Sequence, residues 1–181
     1  MCFKIPNASY TQRYTKDLLK NLPKKSSRLK SSVKPLFKKL KKKPPKDFDI
    51  TVHLLHDEAF EKIDCLLCAN CCKTLGPRIT DNDISKLARH LKMKPGNFIK
   101  QYLSTDEDSD YVFREMPCPF LMPDNYCMVY EVRPKACREY PHTDRKRFYQ
   151  ALDITLKNMD TCPAVYEIVE KIQSTYEKAP R

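Results

Sequence analysis

The sequence predicts a mainly α-helical, small and loop-rich domain with one short β hairpin, its short helices organised around a Cys-ligated metal or iron-sulfur centre. Three observations carry that prediction. Eight of the nine cysteines fall between residues 65 and 162, four of them within eight residues. Apolar residues recur at i, i+3, i+4 and i+7 in several short windows, the period of an amphipathic helix. Prolines at 95, 134 and 163 stand where a short helix would begin, because proline's missing N–H and fixed φ suit a first helical turn.

The densest group is Cys65-Leu66-Leu67-Cys68-Ala69-Asn70-Cys71-Cys72, four thiols in eight residues. Free cysteine packs as a small hydrophobe, but core packing gives no reason for four together. Disulfides fit poorly, since the adjacent pair Cys71 and Cys72 would need strained geometry. Thiols three residues apart on a tight turn can face one centre, and thiolate is a soft donor suited to zinc or iron-sulfur.

The net charge of +11 belongs to one end of the chain. Residues 1–46 carry fifteen Lys or Arg against Asp17, a balance of +14, and the remainder carries −3. The expected division is a basic, partly disordered N-terminal tail over 1–47 and a cysteine-cluster metal-binding domain over 48–176. Within the tail, Leu29, Val33, Leu36, Phe37 and Leu40 can line one side of a basic helix that lies on RNA or an anionic membrane, although Pro35 interrupts it. A mitochondrial transit peptide is a further reading, against which the tail is mostly Lys rather than Arg.

An odd cysteine count and the absence of a long apolar signal region after Met1 place the expected location in a reducing cytoplasm. No run reaches the roughly 18 apolar residues of a membrane span. Gly76 and Gly96 stand alone, without dinucleotide or P-loop spacing, which argues against those enzyme classes.

Along the domain, a helix-like stretch runs from Asp57 to Ile63, with His53 and His56 the nearest imidazole donors to the cluster. Thr80 and Asp83 make a capping box ahead of Ile84, Leu87, Ala88 and Leu91. Pro95 opens a second short helix with Phe98, Ile99, Tyr102 and Leu103 inward. The acidic stretch from Asp106 to Asp110 lacks the glycine and the final glutamate of a calcium loop and reads as a solvated loop. The turn chemistry of Asp124-Asn125 lets a hairpin bring Cys118 and Cys127 together, and Pro134 opens a short helix carrying Cys137. Pro163 starts a last helix with Val165, Ile168, Val169 and Ile172 inward, leaving Cys162 at its N-terminal end, where backbone dipoles favour a thiolate.

Taken together, Cys-x2-Cys-x2-Cys-Cys, then Cys118-Pro119-Phe120-Leu121, then the run from Cys127 through Arg133-Pro134 to Cys137-Arg138 and Tyr140-Pro141, and a final Cys162-Pro163, resemble the YkgJ-type cysteine-cluster family of zinc- or iron-chelating domains. The resemblance covers roughly residues 60–165. It implies Cys65, Cys68, Cys71, Cys72, Cys118, Cys127, Cys137 and Cys162 as metal ligands. A relative with the same motif, flagellin lysine methylase, implies that such a site can accompany methyl transfer to protein lysines, although no Gly-rich strand-turn motif for a methyl donor is visible here.

Eight thiols can make two four-thiolate zinc sites, one larger cluster or two four-iron clusters. The spacing favours iron-sulfur, 4Fe-4S, over zinc: Cys-x2-Cys-x2-Cys repeats the first three ligands of a bacterial ferredoxin run, and Cys72 follows too closely to join them easily. Lys73, Arg133 and Arg138 would offset thiolate charge, and His142 is a reserve ligand or acid-base group. The leading expectation is a metal-binding protein working with a redox or protein partner. An iron-sulfur enzyme, either redox or of the protein lysine N-methyltransferase kind, comes next, and a zinc-stabilised RNA-binding or ribosome-associated adaptor third. Whether the chain is an enzyme is left open.

Overall fold

The structure, a computed structural model, describes residues 16–177; expectations for residues 1–15, Cys2 among them, lie outside the described residues. Helices α1 (Lys16–Lys42) and α2 (Phe48–Lys62) lead into two single turns, α3 (Cys65–Cys68) and α4 (Asn70–Thr74). Then come α5 (Asp81–His90), α6 (Pro95–Tyr102), strands β1 (Leu103–Thr105) and β2 (Tyr111–Phe113), α7 (Lys135–Glu139), α8 (Leu152–Asn158) and α9 (Pro163–Glu177). The chain divides into two units, one made of residues up to 67 with those from 141 onward, the other of residues 68–140.

In the first unit α9 is the central helix, packed by α1 and by α2. Its Val165, Ile168, Val169 and Ile172 are buried as the sequence predicts, in one core with Val33, Leu36, Phe37 and Leu40 of α1 and Phe48 and Val52 of α2. The apolar stripe of the basic segment is therefore real, but its partner is the chain's own core. Residues 16–42, counted by charge into a partly disordered tail, are helical because side chains worth roughly 1.5–3 kcal/mol each on burial outweigh the solvation of a charged segment.

The helix also runs through Pro23 and Pro35, where an interruption is expected at Pro35. Both prolines are exposed on α1's outer side, so a carbonyl they leave unbonded can meet water. Buried Ser26 ties α1 inward by donating from Oγ to the Met159 carbonyl at 2.7 Å. Helix α2 starts nine residues earlier than its expected stretch, because Phe48 and Val52 are core and Asp49 accepts the amides of Arg147 and Phe148 at 2.6 and 2.9 Å.

The second unit has its own smaller core of Ile79, Ile84, Leu87, Phe98, Leu103, Phe113, Phe120 and Val129. Helix α5 begins at the predicted capping box: Thr80 accepts from the Asp83 amide while the Asp83 carboxylate accepts from the Thr80 amide. Helix α6 begins at Pro95 and buries Phe98.

The regular hairpin is not at residues 118–127. Strands β1 and β2 pair antiparallel in the register Leu103 with Phe113 and Thr105 with Tyr111. The acidic stretch closes their turn, with the Asp106 carboxylate accepting the Asp108 and Asp110 amides at 3.0 and 2.9 Å. Around Asp124-Asn125 there is a tight reversal with a single bridge, Leu121 to Cys127, and Asn125 takes a positive φ of 67°.

Candidate metal centre

Within the second unit, four of the predicted ligands, carried on four short pieces of chain, are near enough to influence one another's ionisation. Cys72 lies in α4. Cys118 is joined to it directly, its amide donating to the Cys72 carbonyl at 2.9 Å. Cys127 is brought in by the reversal, where the Met122 amide donates to the Tyr126 carbonyl at 2.8 Å and the Met128 amide to the Phe120 carbonyl at 2.9 Å. Cys137 rides on α7, whose first amide, that of Lys135, donates to the buried carboxylate of Asp83 at 3.0 Å. The box that starts α5 thus also fixes the start of the helix carrying Cys137.

The electrostatics show how close the four thiols are. Burial, with Cys118, Cys72 and Cys127 adding to it and Arg133 opposing, pushes Cys137 up to about 12. Burial likewise raises Cys118 to about 11, with Cys72 and Cys127 adding to it. Cys127 is raised by burial and then by Cys72. Every pair among Cys72, Cys118, Cys127 and Cys137 therefore interacts.

Cys72 is the exception in direction. Its contact with Cys71, Sγ to Sγ at 3.9 Å, lowers it to about 7 against burial, with the Arg133 and Lys73 charges acting the same way. A bound cation inverts the logic for all four, since a metal holds its thiol ligands deprotonated.

Several sulfurs already have the donors a metal thiolate uses. The backbone amides of Phe120 and Leu121 favour the thiolate of Cys118, and that of Val129 the thiolate of Cys127, while the Leu121 amide donates to the Cys118 carbonyl at 3.0 Å. Cys68, buried and raised by that burial, accepts from the Asn70 amide across Ala69, which takes a positive φ of 45°. Hydrogen bonds to sulfur are among the levers that tune a thiolate-bound centre.

Arg133 completes the surroundings. Its guanidinium lies 3.7 Å from the Tyr130 ring centroid, its charge reaches Cys72, Cys127 and Cys137, and its buried Nε has no acceptor among the described residues. A charged thiolate would supply that acceptor, so the donor set and the orphaned N–H both fit a thiolate-bound metal. Among the described residues, no three His, Cys, Asp or Glu side chains already converge closely enough to hold an ion. Closing on a centre would require the sulfurs to draw in.

The remaining predicted residues are placed differently. Cys71 and Cys68 belong to the same unit, whereas exposed Cys65 and half-buried Cys162 belong to the other. His53 and His56 are engaged by the 143–145 loop of their own unit, at the Arg145 carbonyl, 3.2 Å, and the Thr143 hydroxyl, 2.8 Å. His142, also in that unit, takes a positive φ of 68°. Lys73 donates to the Cys68 carbonyl at 3.3 Å, and Arg138 to the Arg133 carbonyl at 2.6 Å. Asp83 was legible only as a helix cap, and nothing in its spacing shows that it also holds α7.

No helix among the described residues is long and apolar enough to cross a membrane. A family profile, CxxCxxCC, described as a "Putative zinc- or iron-chelating domain", matches residues 64–163. The chain is 30% identical over 112 residues to "Uncharacterized protein MJ0661" of Methanocaldococcus jannaschii, which is 60% of this chain. It spans 57% of that relative's length. No solved structure matches the chain.

Proposed function

The chain belongs to the CxxCxxCC family, the one described as zinc- or iron-chelating, and on that premise we propose that it is a metal-binding protein in which Cys72, Cys118, Cys127 and Cys137 hold one iron-sulfur centre. The observation that carries the reading is the mutual reach of these four thiols within one unit. Four thiolates suit either a tetrahedral zinc site or an iron-sulfur cluster. The iron-sulfur form is preferred because a ferredoxin-type run sends its fourth cysteine to a different cluster from its first three, and Cys72 keeps company with the distal cysteines.

A bound cluster would supply one-electron chemistry, whereas zinc would supply a structural cross-link. The residues' own contributions are the same in both cases. The amides of Phe120, Leu121 and Val129 stabilise sulfur charge, and Arg133 offsets it.

Anaerobic purification with metal analysis and a visible spectrum tests the proposal. The expected result is a brown protein with broad charge-transfer absorption that loses one centre's worth of metal on Cys118→Ser or Cys137→Ser. A colourless protein with stoichiometric zinc would replace iron-sulfur by zinc. Full metal retention in both variants would remove the assignment of these four residues.

A further inference from the structure

The outer face of α1 is independent of the metal centre and has a chemistry of its own. With Val33, Leu36, Phe37 and Leu40 turned into the core, what remains outward is rich in cations, with the uncharged Ser31 and Pro35 between Arg28 and Lys38. Lys20, Lys24, Arg28, Lys38 and Lys42 are all exposed. At 3.6 residues per turn they fall within about 80° of arc opposite the buried stripe, and at about 1.5 Å per residue the row is roughly 33 Å long. Lys25, Lys34 and Lys39 widen it, and no acidic residue occurs between 18 and 46. Among the described side chains, the cations of this helix that meet carboxylates are Lys30 with Asp160 and Lys41 with Asp153, both at 2.5 Å, and they lie along one edge of the buried stripe, away from this row.

We propose that this face of α1 is a docking surface for the phosphate backbone of a nucleic-acid duplex. Charge complementarity supplies the attraction, since a duplex carries one negative charge per about 1.7 Å of axis. What the face lacks excludes the other polyanions. The exposed large apolar side chains of the described residues, such as Ile50, Leu54 and Leu67, do not include any on α1, so the described part of this face offers charge without the apolar side chains that an interfacial helix buries among lipids. The helix's single aromatic residue, Phe37, is buried, so there is no platform on which unpaired bases could stack. A row of long flexible cations on a rigid helix reads charge and not sequence.

The test uses the full chain, a mixed-sequence DNA duplex of about 20 base pairs, and its dissociation constant measured between 50 and 200 mM salt. Replacing Lys24, Arg28, Lys38 and Lys42 together by Gln should lower the slope of log K against log salt by about 3.6, at about 0.9 for each phosphate no longer neutralised. Metal content and the far-UV helix signal should not change. A control with the same loss of charge in the second unit, Lys86, Lys92, Lys94 and Lys100 to Gln, should leave the slope as it was. Equal losses from the two sets, salt-independent or sequence-specific binding, or binding to phosphatidylserine vesicles where the duplex is not bound, would each overturn the proposal.

Discussion

Arg133 is held on one side by Tyr130, over whose ring its guanidinium lies, while its buried Nε meets no acceptor among the described residues. If a metal-bound thiolate is that acceptor, Arg133→Met should weaken metal binding by about 10–100-fold, as loss of a group supporting a metal's ligands commonly does. Arg133→Lys, which keeps the charge but not the planar fork, should recover only part of it. Competition with a chelator of known affinity measures both. Arg133 could be picked out from sequence as a cation beside cysteines, whereas its stacking and its orphaned N–H depend on the fold. His56 is a second residue whose role the fold decides. Burial lowers its pKa below 6.5, outweighing the opposing charges of Asp144 and Asp57, with His53 adding to the lowering. The unfolded chain therefore takes up the proton first. The stabilisation is complete above about pH 6.5 and is lost as pH falls below it. His56→Gln, which cannot titrate, should flatten that part of the stability curve when urea midpoints are compared at pH 7.5 and 5.5.

The elements show what a local pattern can carry. The Thr80–Asp83 box, the start of α6 at Pro95, the helix after Pro134 and the inward stripe of α9 depend on contacts within a turn or two, and all appear where the sequence puts them. The sheet lies away from the hairpin that the sequence predicts at 118–127, because strand pairing at 103–113 is closed by Asp106 acting on two amides, a contact that the acidic composition disguises as a loop. Helix α1 was misread in its partner and not in its periodicity: lysines dominate the charge count, but the fate of the stripe depends on α9, more than a hundred residues away. Two consequences are measurable. Phe37→Ala, at a 3% exposed position, should cost about 3–5 kcal/mol of the first unit's stability. A chain beginning near Phe48 should lose cooperative melting of that unit instead of leaving an intact domain, since it would strip the α1 side from the core around Ile168, Val169 and Ile172. Thermal unfolding followed by far-UV circular dichroism reads both.

At the scale of the whole molecule, the proposed centre would support the two units to different degrees. The first has long helices and a core that includes Phe48, Phe148, Met159, Val165, Ile168 and Ile172. The second has a smaller core, and its segment from Cys118 to Tyr140 is held by Phe120 and Val129 in that core, the Lys135 amide on Asp83, a single bridge, two short turns of helix and a few backbone hydrogen bonds. Structural zinc in small peptides contributes roughly 10–16 kcal/mol, comparable to a domain's entire stability of about 5–15 kcal/mol. A thiolate-bound centre joining Cys72, Cys118, Cys127 and Cys137 would therefore supply most of what fixes residues 118–140, and little of what fixes α1, α2 and α9. Chelation should raise amide hydrogen exchange across 118–140 to near the unprotected rate, with α5 loosening less because its capping box and Leu87 packing persist. The amides of α2 and α9 should keep their protection, and much of the helical signal should survive. Exchange mass spectrometry before and after metal removal measures this peptide by peptide. Uniform loss of protection through both units would mean that the metal supports the whole chain, and unchanged protection at 118–140 would mean that these four thiols do not hold it.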